Sequence, residues 1–181
     1  MKICIFGSSN DSIDKKYLDD AFHFGEMMGE RNISLVFGGG CSGVMGAVAR
    51  GVRKHGGEVI GITIPKFDVP GVRFEDCTDF IVCDDIRIRK EKLESLADAS
   101  VVFPGGVGTW DELCESWDVS EKDGDKRPLI LYNSCGFYDK FIDFVDFANE
   151  ENFVYESYFN HIKFCSSAQE IFDFLTDKLK K

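Results

Sequence analysis

Residues 101–115 read VVFPGGVGTWDELCE. An apolar run closes on Pro104, a glycine-rich turn with Thr109 follows, and acids come within one further turn. A buried strand, a turn of high backbone freedom and the start of a helix are compressed into one stretch. The same grammar recurs in both directions along the chain. KICIF (2–6), ISLVF (33–37), EVIGITI (58–64), DFIVC (79–83), SVVF (100–103), PLILY (128–132) and HIKFC (161–165) read as strands. Helical periodicity marks 13–31, where Tyr17, Ala21, Phe24 and Met28 share a stripe, and also 43–55, 85–98, 109–121, 136–150 and 167–179. Pro65 to Asp76 reads as a loop rich in turn residues. Strands alternating with helices predict an α/β fold, with a parallel sheet covered on both faces in three layers. No repeat or linker interrupts the pattern, so 1–181 is expected to form a single domain.

The bulk numbers narrow the function. The chain has 181 residues, 44% hydrophobic and 29% charged, with a formal net charge of −11. Such a surface repels nucleic acid and anionic lipid, so neither is expected as a partner. MKICIFGSSN turns to glycine and serine too soon for a signal peptide, and no apolar run approaches bilayer length. A cytoplasmic protein is expected. Seven scattered cysteines without a CxxC, most of them in or beside apolar segments (Cys4, Cys83, Cys114, Cys165), read as small buried hydrophobes. His23, His55 and His161 stand far apart, and no metal site is expected.

In parallel sheets ligands bind beyond the carboxyl ends of the strands. Three strands here end in glycine- or serine-rich turns: FGSSN (6–10), which holds Ser8, FGGGCSG (37–43) and FPGGVG (103–108). One such turn is connection chemistry. Three at one edge point to a backbone-lined anion site, where amides and helix N-termini face a phosphate. Gly38-x-Gly40-x-x-Gly43 matches a dinucleotide fingerprint formally, but it follows the second strand, and Glu58 opens the next strand instead of ending it. NAD or FAD binding is therefore disfavoured. Close packing accounts for Gly46 and Gly51 in the following helix, against the sheet or a partner, but not for Gly38 to Gly40.

Thr109-x-x-Glu112 has two readings. It is a capping box, with Thr109 as N-cap and Glu112 at N3, as Ser167-x-x-Glu170 also is. Alternatively, Glu112 acts on a part of the ligand beyond the phosphate. Arg89 shares a helical stripe with Leu93, Leu96 and Ala97, which aims it inward at the same edge, and Lys90 follows it.

VFGGGCSGVMGAV (36–48), Arg89-Lys90 and PGGVGTWDE (104–112) resemble the LOG ("LONELY GUY") family. These are cytokinin riboside 5′-monophosphate phosphoribohydrolases, once labelled possible lysine decarboxylases. The likeness extends over ICIFGSS, GGEVIGITIPK (56–66) and LYNSCGFYDKFIDFVDFANEENF (131–153). It implies a doubly wound, Rossmann-like fold, a homodimer, no cofactor, and hydrolysis of the N-glycosidic bond of a nucleoside 5′-monophosphate to free base and ribose 5-phosphate. Arg89 and Glu112 match the family's catalytic pair. Gly105, Gly106, Gly108 and Thr109 match its phosphate turn, with Ser8, Gly39, Gly40 and Lys90 as further candidate ligand contacts. The small-residue helix 43–55 is a second cue to a dimer.

Three stretches depart from the family pattern: Ile86-Arg87-Ile88, Trp117 to Glu121, and the loop Phe67–Asp79. They bear on the base pocket, so the identity of the base (isopentenyladenine, adenine or another) stays open. Arg89 either pairs with Glu112 or contacts the nucleotide, and no general acid stands out. The rival reading is a nucleotide-binding protein that keeps the phosphate loop without turnover.

Overall fold

Strands whose two faces are both apolar can be satisfied only inside a sheet with helices on each side. The computed structural model, which describes residues 1–123 and 127–179, has that form. The elements in order are β1 (Lys2–Phe6), α1 (Lys15–Glu30), β2 (Ser34–Phe37), α2 (Gly43–Lys54), β3 (Val59–Thr63), β4 (Asp79–Val82), α3 (Ile86–Ser95), β5 (Ala99–Val102), α4 (Val107–Asp123), β6 (Leu129–Tyr132), α5 (Asp139–Glu150), β7 (Ile162–Cys165) and α6 (Ala168–Leu179). All strand pairings are parallel, and the order across the sheet is β4-β3-β2-β1-β5-β6-β7. The chain starts in the middle, winds out to β4, returns to the other side of β1 at β5, and winds out again to β7.

Alternation along the strands sorts the core into two layers. Ile3, Ile5, Leu35 and Val101 face Phe24, Met28, Val48, Val52 and Leu175, from α1, α2 and α6. Cys4, Phe6, Val36, Ile60 and Val102 face Leu93, Leu113, Trp117 and Val145, from α3, α4 and α5. The expected α1 stripe holds: Ala21, Phe24 and Met28 are fully buried, and Tyr17 is half-buried against Phe137. Asp14 caps α1, and Asp85 caps α3 through the amides of Arg87 and Ile88. Cys4, Cys83 and Cys165 are buried as expected, Cys41 and Cys77 only half-buried, and two cysteines lie at the surface instead. Cys114 and Cys135 are exposed, because Cys114 lies on the outer side of α4 and Cys135 in the turn before α5.

The small residues of α2 are used within the chain. A Cβ on Gly51 would enter the Phe22 carbonyl, and one on Gly25 of α1 would enter the Val48 carbonyl, so the two helices cross at backbone contact. A Cβ on Gly46 would enter the Cys41 carbonyl just before its own helix. The stripe that suggested a dimer therefore faces α1. No described helix is long and apolar enough to cross a membrane.

Candidate active site

The winding direction reverses between β1 and β5, which leaves a crevice beyond their carboxyl ends. Ser8 ties that crevice together. Its amide donates to the Pro104 carbonyl at 3.1 Å, its carbonyl accepts from the Val44 amide at 2.8 Å, and its Oγ accepts from the Asn10 amide at 3.1 Å. The cleft above it, about 380 Å³, is lined by Ser8, Gly106, Gly108, Thr109, Arg89 and Glu112, among others. A second lobe of about 410 Å³ adjoins it and is walled by Gly38 to Gly40, Thr63, Met45, Phe67 and Val72. Ser9, Met45, Phe67 and Arg89 border both lobes.

Helix α4 starts earlier than its sequence suggests. The Gly106 carbonyl accepts from the Trp110 amide at 3.0 Å, so the helix begins at Val107 and Thr109 lies inside its first turn. This overturns the capping-box reading of Thr109 and Glu112, since Glu112 stands two turns beyond the N-cap position. Among the described residues nothing bonds the amides of Val107, Gly108 or Thr109. A Cβ on Gly106 or Gly108 would meet nothing within 4 Å, and neither residue has a positive φ. The fold does not require glycine at either position. Gly105 differs: it is buried, and a Cβ there would enter the Thr109 side chain.

Glu112 and Arg89 meet at the waist of the cleft. Arg89 Nη1 lies 3.9 Å from Glu112 Oε1, and their side chains are only 11% and 17% exposed. Arg89 is held from the other side as well. Its Nε donates to the Ile62 carbonyl at 2.9 Å and its Nη2 to the Gly38 carbonyl at 3.5 Å. A Cβ on Gly38 would strike Nη2, which explains that glycine. Gly39 has φ +77, and a Cβ on it would press on the Phe80 ring. Burial pushes the Glu112 carboxyl up to about 7, against the pull of Arg89 and Lys90.

The candidate residues thus divide. Ser8, Gly106, Gly108, Thr109, Arg89 and Glu112 converge on one cleft. Gly39 and Gly40 line the adjoining lobe. Lys90 stands apart. Its Nζ lies 2.5 Å from Asp111 and 2.6 Å from Glu115, clamping α3 to α4. Burial lowers the Lys90 pKa, but its hydrogen bonds with Asp111 and Glu115 outweigh that and raise it overall. Phe67 and Val72 belong to the loop 67–79, which the departures from the family pattern tie to the base pocket, whereas sequence reasoning missed Ser9, Thr63 and Met45. Only the FGSSN turn and the glycine loop beside Met45 gave any signal for them. It also missed Asp11, whose Oδ1 accepts from the Gly43 amide at 2.7 Å and so occupies the N-terminus of α2.

A family described as possible lysine decarboxylase matches residues 45–175. The chain belongs to this family, the LOG family of the resemblance above. It is 37% identical over 154 residues to the cytokinin riboside 5′-monophosphate phosphoribohydrolase LOG2 of Arabidopsis thaliana, covering 84% of this chain and 72% of that protein. It is also 37% identical over 156 residues to the enzyme of the same description, LOG, from Oryza sativa subsp. japonica, covering 86% and 64%. A molybdenum cofactor binding protein from Rippkaea orientalis superposes with a TM-score of 0.72 over 97% of this chain and 95% of that one, at 21% identity, which speaks for the fold alone.

Proposed function

We propose that this family member hydrolyses the N-glycosidic bond of a nucleoside 5′-monophosphate to free base and ribose 5-phosphate. The observation that carries this reading is the start of α4. Unbonded amides at Val107 to Thr109 stand beside two glycines that the fold itself does not need, with a buried carboxylate one turn farther on. Backbone amides at a helix N-terminus suit a phosphate. Side chains at Gly106 and Gly108 would obstruct its approach. The family relatives named above act on substrates of this class.

In this reading the 5′-phosphate rests on the α4 amides, Thr109 and Ser8. The sugar then lies over Glu112, and the base enters the lobe between Gly38 to Gly40, Met45, Phe67 and Val72. As the C1′–N bond breaks, its electron pair leaves with the base and positive charge grows on the ribosyl carbon. The ionised Glu112 carboxylate stabilises that charge, which exists only in the transition state. Water adds its oxygen to C1′, one of its protons ends on the departing base, and the atoms balance. Arg89 is a positioning residue: two carbonyls fix its guanidinium, whose remaining face favours the ionised form of Glu112 against the effect of burial.

Lysine decarboxylation through a Schiff base does not fit the residues. A Schiff-base lysine needs a lowered pKa. Lys90, beside Arg89, is instead raised and paired to two carboxylates.

The same reading makes the protein a cytoplasmic homodimer. With α2 packed on α1, support for the dimer comes from the family and from exposed aromatic residues in and after α5: Phe144, Phe147, Phe153 and Tyr155. Sedimentation at micromolar concentration checks it, with a dimer mass expected. The activity test is incubation with AMP and with isopentenyl-AMP, assaying free base and ribose 5-phosphate. Equimolar release of both products is expected. Binding of both nucleotides without release would replace the enzyme by a nucleotide carrier.

A further inference from the structure

A second cavity, about 420 Å³, opens at the opposite edge of the sheet, at the amino ends of β6 and β7. The size suits a small organic ligand. Its floor is apolar, from Leu129, Ile162 and Phe174. The ionisable groups on its wall are all basic: Arg127, His161, Lys163 and Lys178. This is contrary to the whole chain, in which 32 acids outnumber 21 lysines and arginines.

Three of these basic groups lie near carboxylates that do not themselves line the cavity. His161 Nε2 lies 3.0 Å from Glu121, Lys163 Nζ 3.6 Å from Glu170, and Arg127 Nη2 3.8 Å from Glu94. Lys178 has no carboxylate within 4.0 Å among the described residues, and its Nζ lies 5.9 Å from the Phe174 ring centroid. A ring beside basic side chains is the chemistry that takes up an anion carrying a flat apolar part.

We propose that this cavity is a second ligand site, separate from the α4 cleft, and that it takes a nucleoside phosphate. The base lies on Phe174 and Ile162, and the phosphate faces Lys163 and Lys178. The whole length of the sheet separates it from Glu112.

The test is isothermal titration of the full-length chain with AMP. The Glu112→Gln background slows turnover, and Lys163→Glu with Lys178→Glu is compared against it. Two AMP bound per chain, falling to one on charge reversal, is the expected result. One falling to none would keep this second site and remove nucleotide binding from the α4 cleft, so the two proposals fail separately. A stoichiometry unchanged by charge reversal overturns the second site. Lys163→Gln with Lys178→Gln, at exposed positions where the fold has little at stake, is expected to weaken the second site at least about tenfold. It decides the matter if the reversed pair does not fold.

Discussion

Two glycine-rich turns lead into helices at the same edge of the sheet, and they have opposite fates. At FGGGCSG the N-terminus of α2 is filled by the chain itself. Asp11 takes the Gly43 amide, the Ser8 carbonyl takes the Val44 amide, and Gly43, at φ +61, lies so close to Ser8 that no side chain fits. At FPGGVG the N-terminus of α4 is open. Its first-turn amides have no described partner, and Gly106 and Gly108 face empty space. In the first turn Gly38, Gly39 and Gly43 have no room for a side chain, and Gly40 alone has it. Two of the three in the second, Gly106 and Gly108, are not required by the packing. A glycine loop is thus evidence for a binding site only after the fold's own need for glycine has been subtracted.

The largest expected effect concerns the carboxylate beyond the open terminus. Glu112→Gln lowers the rate of base release by about 10²-fold or more while leaving nucleotide affinity nearly unchanged. Stability moves the other way. The Glu112 carboxyl titrates near 7 in the folded chain against an ordinary 4.5, so between those values the folded chain holds a proton that the unfolded chain releases. Stability therefore falls as pH rises through that window, by about 3 kcal/mol in all. Thermal melts should show Glu112→Gln more stable than wild type above pH 7, with the gap closing toward pH 4.5. A variant equally stable across that range would mean the carboxylate is not buried as described.

Next comes the glycine comparison itself. Gly43→Ala forces a side chain into the Ser8 carbonyl at a positive φ and is expected to cost at least about 2 kcal/mol in denaturant unfolding. Gly108→Ala enters open space with ordinary backbone angles and is expected to leave stability unchanged or raise it by about 0.5 kcal/mol. It should nevertheless weaken nucleotide binding about tenfold by titration, since Gly108 lines the cleft and the new methyl narrows it. Equal effects at the two glycines would erase the contrast. The smallest effect is at Asp11. Asp11→Ala removes the cap of α2 and should cost about 1 kcal/mol in unfolding, with base release kept within about twofold.

A second pair of stretches shows where local pattern stops being informative. Thr109-x-x-Glu112 and Ser167-x-x-Glu170 are the same motif. At α6 it caps: Ser167 Oγ accepts from the Glu170 amide at 3.2 Å, and Glu170 Oε2 accepts from the Ser166 amide at 2.9 Å. At α4 the helix starts two residues before Thr109, and Glu112 turns to Arg89. Lys90 shows the same limit. Adjacent to Arg89 in the chain, it lies on another face of α3 and is claimed by the acids of α4.

Strand and helix order, the parallel sheet and the crowding of glycine turns at one edge were legible because they rest on periodicity and on residues a few positions apart. So were Arg89 and Glu112, the one as a cation in an apolar stripe and the other as an acid one turn past a phosphate-like loop. The family resemblance pointed to the same pair. The state of each helix terminus was not legible, because the deciding partners are remote in sequence. Asp11 and Gly43 are 32 positions apart, and Arg89 and Ile62 are 27 apart. The sequence alone could place three glycine turns where an anion would go. Only the tertiary structure could say that one was already closed by a carboxylate and another left open, because a backbone amide takes whichever acceptor the fold brings to it.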